Sequence, residues 1–216
     1  MPIFPLGMVL FPTLPIRLQI FEERYIKMLQ HCLVQNKNFG VVLIREGMEA
    51  HGDLAQIRTV GCSVQILELE RLSEGRFNLY GMGDNRFRII GEDRSGDFLY
   101  GSVEWMPFGK GHSEPIQNES EYDFPERIKI YIENLAPNRL PMLSKITFPE
   151  DLLDRAFIAT EFLQISLSKK QSLLEIENRT DFIQEVAGAL DHEINLLKTI
   201  KSLNYPSGDQ SFQSLN

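Results

Sequence analysis

Apolar and polar positions change their spacing along the chain, and the first 25 residues are the most unusual stretch. They are mostly apolar but contain four prolines, which fix φ and lack a backbone N–H. A long helix or a central strand is therefore excluded. The pattern predicts two short extended pieces, at residues 3–6 and 16–21, joined by a bent apolar loop. Residues 24–36 then follow a helical period.

The next part of the chain has the spacing of strands. Residues 39–44 form an unbroken apolar run, which is typical of a strand buried on both faces. A loop is predicted at residues 45–54, a tight glycine turn at 73–75, and a second bend at 81–85, where glycines and polar residues cluster. The predicted strands cover residues 39–44, 61–72, 76–80, 86–90 and 99–105. Short strands with turn signals between them indicate a curled sheet or a barrel.

After residue 106 the period becomes helical. Asp123 is expected to cap one helix, and capping boxes that start at Thr147 and Ser168 predict two more. The last helix is predicted at residues 181–203. These changes divide the chain into a β-rich unit at residues 1–106, a flexible connector at 107–122, a helical unit at 123–203 and a disordered tail at 204–216.

Composition and charge then narrow the classes of function. The 216 residues are 43% hydrophobic and 24% charged, with a formal net charge of −8 at pH 7. Non-specific binding to nucleic acid needs a cationic surface, and so does docking on anionic membranes. No secretory leader and no membrane-spanning apolar run is recognisable. We therefore expect a cytoplasmic protein that does not dock on membranes and for which nucleic acid is not the main expected partner.

Residues of the kinds used in catalysis are present, but not in working combinations. Ser166 and Lys169 match an S-x-x-K pattern that needs partner motifs to form an active site. His192 begins a His-Glu pair without a second histidine at zinc-binding distance. Cys32 and Cys62 are expected to be small buried hydrophobic residues, and no phosphate-binding glycine loop is found. We expect no cofactor, no metal and no enzyme activity.

The opening sequence carries a specific resemblance. The residues that carry it are Phe4, Pro5, Leu6, Gly7, Leu10, Phe11, Pro12, Ile20, Phe21, Glu22, Arg24 and Tyr25. In their order and spacing they resemble the Lon protease N-terminal domain family, the substrate-binding domain of the ATP-dependent Lon proteases. Similar blocks follow at residues 39–43, 60–66, 81–88 and 170–175, so the resemblance extends over residues 2–203.

The resemblance implies both a fold and a function. The implied fold is α+β, with a PUA-like pseudo-β-barrel that has one inserted helix, followed by a C-terminal helical bundle. The implied partners are unfolded or apolar polypeptide segments, together with a protease or a chaperone. Full-length Lon proteases continue with ATPase and peptidase modules, whose motifs these residues lack, so a stand-alone recognition domain is expected. Weak self-association is left open.

A surface that binds unfolded polypeptides has to be apolar. Met8, Phe11 and Leu14 in the opening loop, and Tyr25 shortly after it, are the candidates for such a surface. The alternative is that these side chains close the end of the barrel. Core positions are expected for Phe4, Leu6, Ile20 and Phe21.

Arg86 and Arg88 alternate with apolar residues and therefore share one face of a strand. They are candidates for contact with an anion or with RNA, and the alternative is an ordinary solvated face. Three functions remain open at this point: a polypeptide-binding adaptor or recognition factor in proteolysis, a PUA-like RNA-binding protein, and a hydrolase with an unrecognised site. The resemblance favours the first.

Overall fold

The computed structural model describes residues 1–35, 38–46, 56–109, 116 and 118–204. Most of the predicted loop at 45–54, part of the predicted connector at 107–122 and the predicted tail from residue 205 onward lie outside these residues. Within the described part, the chain forms six strands and six α-helices, which confirms the α+β class.

The elements follow the predicted order, with shifted bounds. The strands are β1 (Ile3–Leu6), β2 (Pro15–Ile20), β3 (Phe39–Glu46), β4 (Gln56–Arg71), β5 (Phe77–Asp93) and β6 (Tyr100–Trp105). The helices are α1 (Glu23–Gln35), α2 (Phe124–Leu135), α3 (Leu140–Leu143), α4 (Leu152–Phe162), α5 (Leu167–Leu174) and α6 (Arg179–Asn204). The predicted turn between β4 and β5 is confirmed, and Gly75 adopts a φ of 72° there.

The six strands form one sheet in the order β1-β3-β4-β5-β2, and β6 is also paired with β5. β1 lies parallel to β3, and the other paired strands are antiparallel. The start of the chain reaches β6, because the Met1 amino group donates to the Gly101 carbonyl oxygen at 2.7 Å. The Ile3 N–H likewise donates to the Leu99 carbonyl oxygen at 2.9 Å. These bonds close β1, β3, β4, β5 and β6 into a ring.

β4 and β5 continue beyond this ring. Residues 64–71 of β4 pair with residues 77–83 of β5, and β2 pairs with the other side of the same part of β5. We call this three-stranded part the extension. β2 is its outer strand, and among the described residues it pairs with no strand other than β5.

The bend predicted at residues 81–85 is wrong, because β5 runs unbroken through this segment. The glycines are explained by close packing of neighbouring backbones. A Cβ atom on Gly83 would lie 2.2 Å from the carbonyl oxygen of Phe11, and one on Gly81 would lie 2.9 Å from that of Gln65. A side chain cannot be accommodated at either distance, so glycine marks a close approach here.

Helix α2 begins as predicted, because the Asp123 side chain accepts a hydrogen bond from the backbone N–H three residues later, at 3.1 Å. The other two predicted caps are wrong. Helix α4 is capped by Asp151 and not by Thr147, and helix α5 is capped by Ser166 and not by Ser168. Each of these segments offers more than one residue able to cap, and the capping-box spacing alone selects the wrong one.

Helix α6 organises the helical part of the protein, since it packs against α2, α4 and α5. Its residues Phe182, Ile183, Val186 and Leu190 are fully buried. Most buried side chains of the helices and of the sheet form one continuous core. A second, smaller cluster lies within the sheet and consists of Ile3, Val42, Phe87 and Ile89. None of the described helices has the length and apolar content that crossing a membrane requires.

Candidate functional site

The residues that the sequence singled out for polypeptide binding are mostly buried. Phe11, Leu14 and Tyr25 are exposed by only 1%, 5% and 6%, and Met8 is half-buried against the core. The hypothesis that these three form an exposed surface is wrong. Phe11 and Leu14 are buried because the opening loop folds inward, whereas Tyr25 lies on α1 with its ring centre 3.9 Å from that of Phe4. Their burial agrees with the alternative, in which they fill the core.

Phe21 shows the opposite behaviour, because it was expected in the core and is 64% exposed. It directly follows β2, in which Arg17 and Gln19 are exposed while the intervening residues face the core. Side chains alternate along a strand, so Phe21 continues the exposed side. The remaining expected core residues behave as predicted: Phe4 and Ile20 are buried and Leu6 is half-buried.

Four phenylalanines join the sheet to the helices, and we call them the aromatic joint: Phe11, Phe108, Phe157 and Phe182. The ring centres of Phe11 lie 6.3 Å from Phe157 and 6.2 Å from Phe182. Phe108 lies 5.4 Å from Phe182, which in turn lies 5.1 Å from Phe157. The rings are tilted, as aromatic pairs prefer, and each such pair adds stability beyond its buried area. The opening loop therefore has a structural role.

Arg86 is buried at the same joint. It donates hydrogen bonds to the carbonyl oxygen of Leu174 at 2.9 Å and to that of Ile176, and its guanidinium lies 3.6 Å from the ring centre of Phe108. Leu174 ends helix α5, and the last carbonyls of a helix carry partial negative charge. The carbonyls and the ring face therefore stabilise a buried cation. Burial lowers the pKa of Arg86 to about 10, so the side chain stays protonated at neutral pH.

The hypothesis that Arg86 contacts an external anion is therefore wrong, since only 3% of the residue is exposed. Arg88 is half-exposed, and its guanidinium lies 2.9 Å from the carboxylate of Glu177. A third polar contact between sheet and helices comes from Gln171, which donates to the buried carbonyl of Val60 at 3.0 Å. Both arginines thus tie β5 to the segment at the end of α5.

Both cysteines are buried, as predicted. Burial raises the pKa of Cys32 to about 11 and that of Cys62 to about 12. The thiolate is the reactive form, so neither cysteine is suited to nucleophilic catalysis.

We expect neither thiol to react with Ellman's reagent at mildly alkaline pH while the protein is folded, and both to react once it is unfolded in urea. The physical reason is that burial both excludes the reagent and keeps the thiols protonated. The measurement is the absorbance of the released thiolate with and without urea. A thiol that reacts at once in the folded protein would contradict its buried position.

A groove of about 660 Å³ on the helical side gathers the residues that resemble catalytic motifs, among them Ser166, Lys169 and His192. The Ser166 hydroxyl accepts the backbone N–H of Lys169 at 3.2 Å, as a helix cap. The Lys169 ammonium lies 3.7 Å from the Glu185 carboxylate. Among the described residues, no hydrogen bond joins Ser166 to His192, and no group of three or more potential ligands is arranged to hold a metal ion.

The exposed face of the extension carries a shallow groove of about 470 Å³. Its polar lining comes from Arg17, Gln19, Glu68, Glu70, Asn78 and Tyr80. Arg17 lies opposite Tyr80 across the strands, with its guanidinium 5.5 Å from the ring centre, and Asn78 donates to Glu70 at 2.9 Å. In the part of the chain that the structure describes, Arg17 forms no ion pair.

The sequence interpretation missed this face as a binding surface. A signal for it was present, because exposed Pro15, Arg17 and Gln19 alternate with buried Ile16 and Ile20. This is the pattern of a strand with one solvated face, and a proline at the start of such a strand is typical of a sheet edge. Arg17, Gln19 and the exposed Phe21 therefore replace the opening loop as the candidate contact residues.

Comparisons with known proteins relate this fold to a family. The family model for the ATP-dependent protease La (LON) substrate-binding domain matches residues 1–192. Lon protease of Escherichia coli K12 is 25% identical over 211 residues, which cover 94% of this chain and 26% of that protein. A LON peptidase N-terminal domain and RING finger protein of Schizosaccharomyces pombe is 25% identical over 208 residues, which cover 84% of this chain and 43% of that protein. The chain thus spans less than half the length of these relatives.

Solved structures share the fold. A Lon N-terminal domain protein from Xanthomonas campestris has a TM-score of 0.63 and 24% identity, over 87% of this chain and 96% of that one. The N-terminal domain of Lon protease from the Mycobacterium avium complex has a TM-score of 0.60 and 14% identity, over 88% and 97% of the two chains. At these identities, the likeness concerns the fold alone.

Proposed function

The chain belongs to the family of ATP-dependent protease La (LON) substrate-binding domains, and from this we propose that it recognises polypeptide segments without catalysing a reaction. The observation that carries the proposal is the family match over residues 1–192. The matched region is a binding domain only. In addition, the residues that resemble catalytic motifs have structural roles, because Ser166 caps a helix and Lys169 lies beside a carboxylate.

The proposed ligands are unfolded or apolar segments of other proteins. The chain acts as an adaptor or recognition factor in protein quality control, and it passes the bound polypeptide to a protease or a chaperone in the cytoplasm. The division into a PUA-like barrel and a C-terminal helical bundle, with a connector between them, is part of the same proposal. The closed ring of strands and the packing of helices on α6 support it.

The RNA-binding alternative depended on two arginines that are engaged in contacts within the protein. Arg86 is enclosed by backbone carbonyls and Phe108, and Arg88 is paired with Glu177. The formal net charge of −8 also opposes non-specific binding to phosphate groups. Polypeptide recognition is therefore the function that the surface supports best.

The proposal is tested by binding to one protein in two states, for example α-lactalbumin with intact disulfides and the same protein reduced and alkylated. We expect the chain to bind the unfolded form at least about tenfold more tightly, because only that form offers free backbone and exposed apolar side chains. Fluorescence anisotropy with labelled α-lactalbumin measures both affinities.

A labelled RNA oligonucleotide in the same titration is the control for charge-driven binding, and we expect no saturable signal from it. Circular dichroism verifies that the chain is folded under the conditions used. Failure of the folded chain to bind the unfolded form would refute the proposed function.

A further inference from the structure

We propose that an extended polypeptide segment docks on the open edge of β2 as an added strand, and that an acidic side chain of that segment pairs with Arg17. The inference rests on the proposed function and names its binding mode. Strand addition to a free sheet edge is a general way of holding unfolded segments, because affinity comes from the main chain and is largely independent of sequence.

The outer edge of β2 is open. β2 stands at the end of the strand order and pairs only with β5 among the described residues. Pro15, Arg17 and Gln19 are exposed. The opposite end of the sheet is closed, because Met1 and Ile3 are hydrogen-bonded to the start of β6. An additional strand can therefore pair with the free edge of β2, whereas the closed ring of strands has no free edge to offer.

The backbone N–H and C=O groups of β2 point alternately toward β5 and toward the open edge. The Gly83 N–H donates to the Leu14 carbonyl at 2.8 Å, which places Leu14 among the residues bonded to β5. Hydrogen-bonded and non-bonded positions alternate along an antiparallel strand. Ile16 therefore bonds toward β5, whereas Arg17 and Gln19 direct their N–H and C=O groups to the open edge.

Pro15 agrees with this alternation. It occupies an outward position, at which its missing N–H costs no bond to β5. Because Pro15 has no N–H to donate, the part of the edge that can bind a strand begins at Arg17 and is short. An added strand is therefore held by few main-chain hydrogen bonds. Such an interaction is weak and reversible, as suits a chain that must release its ligand.

The side chains on and beside β2 determine which residues the bound segment should carry. Residues directly opposite each other in neighbouring strands interact through their side chains, and opposite charges stabilise the pair. Arg17 is exposed and has no carboxylate partner among the described residues, so it favours an acidic side chain opposite it. Phe21, 64% exposed and just beyond the strand, favours an apolar side chain a few positions away.

A second copy of this chain is the competing occupant of the edge. Pairing of two β2 strands about Arg17 would bring the two guanidinium groups opposite each other, and like charges in that position are destabilising. An unfolded segment can instead present an acidic residue there. In any other register of two β2 strands, Arg17 would still lack a carboxylate, because β2 contains no acidic residue. A segment from another polypeptide is therefore the favoured occupant.

The decisive variant is Arg17→Pro, which removes an outward N–H and leaves the bonds between β2 and β5 in place. Its matched control is Arg17→Ala, which removes the charge and keeps the N–H. With a labelled peptide of alternating Val and Thr and one central Asp, we expect Arg17→Pro to weaken binding at least about tenfold and Arg17→Ala about threefold. With Lys in place of Asp, Arg17→Ala should not weaken binding.

A second measurement leaves the protein unchanged and covers the case in which the proline variant does not fold. N-methylation of every second peptide residue removes the donors on one edge of the peptide strand. We expect methylation of one set to abolish binding and methylation of the other set to preserve it, because only one edge of the peptide faces β2.

Equal binding by wild type and folded Arg17→Pro, or by both methylated peptides, would overturn strand addition and leave the proposed function intact. If the wild-type chain binds neither the peptide nor unfolded α-lactalbumin, both strand addition and the proposed function are refuted. Concentration-dependent dimerisation that Arg17→Pro abolishes, without peptide binding, would assign the edge to a second copy and overturn the inference.

Discussion

We expect Phe11→Ala to lower the free energy of unfolding by about 3–5 kcal/mol, the usual cost of truncating a fully buried phenylalanine. Phe11 is 1% exposed and contacts both Phe157 and Phe182, so its removal leaves a cavity where sheet and helices meet. Urea unfolding followed by circular dichroism measures the loss as a lower midpoint with an unchanged slope.

Phe21→Ala is the matched control, because it makes the same change ten positions along the chain on an exposed side chain. We expect it to alter the unfolding free energy by less than about 0.5 kcal/mol. Comparing the two variants also distinguishes effects on stability from effects on binding. If Phe21→Ala weakens polypeptide binding, the loss cannot be attributed to unfolding. Similar destabilisation by both changes would contradict the placement of Phe11 in the aromatic joint.

We expect Arg86→Met to cost about 2–4 kcal/mol, because two buried carbonyl oxygens lose their donor, and each unsatisfied group costs about 1–3 kcal/mol. Methionine keeps much of the apolar stem, so the measured loss reports mainly the hydrogen bonds to Leu174 and Ile176. The urea midpoint provides the measurement here as well.

Arg88→Met serves as the control for Arg86, since the two arginines are two residues apart on the same strand. Arg88 is half-exposed and forms an ion pair with Glu177, and such exposed pairs contribute about 0–1 kcal/mol. If Arg88→Met lowers the unfolding free energy as much as Arg86→Met, the hydrogen bonds from Arg86 to the buried carbonyls stabilise the protein no more than an exposed ion pair does.

Strand and helix content could be predicted because the spacing of apolar residues reports local periodicity directly. The run at residues 39–44 is part of β3, and the helical period at 24–36 corresponds to α1 within one residue at each end. The cap at Asp123 was also predictable, since the proline and the glutamate that follow it are typical of the first turn of a helix.

The caps of α4 and α5 were mispredicted because the local chemistry is ambiguous. Asp151 caps α4, and it also accepts a hydrogen bond from Arg179 at 2.9 Å. That partner lies 28 residues later, and no local pattern indicates it. The bend at residues 81–85 was mispredicted for a similar reason. Gly83 is needed because the backbone of Phe11, which is distant in sequence, approaches it closely.

The candidate site was harder to predict than the fold, since exposure depends on contacts between distant residues. Alternation shows that Arg86 and Arg88 share a face, but the carbonyls that bury Arg86 come from residues 88 and 90 positions later. In the same way, Phe11 and Phe21 look alike in sequence, and only the packing of α4 and α6 distinguishes them. Whether β2 has an open edge depends on the order of the strands in the sheet. Pro15 was the single local indication that β2 lies at an edge.

The bonds that close the ring of strands determine when the protein can fold during its synthesis. Met1 is hydrogen-bonded to Gly101, so the ring stays open until β6 has left the ribosome. The contacts of Arg86 with Leu174 and Ile176, and of Phe11 with α6, can form only after those later segments have been synthesised. Contacts between residues so far apart in sequence form slowly. Until these segments have left the ribosome, the nascent chain therefore presents unpaired strands and apolar side chains, which make such intermediates prone to aggregation.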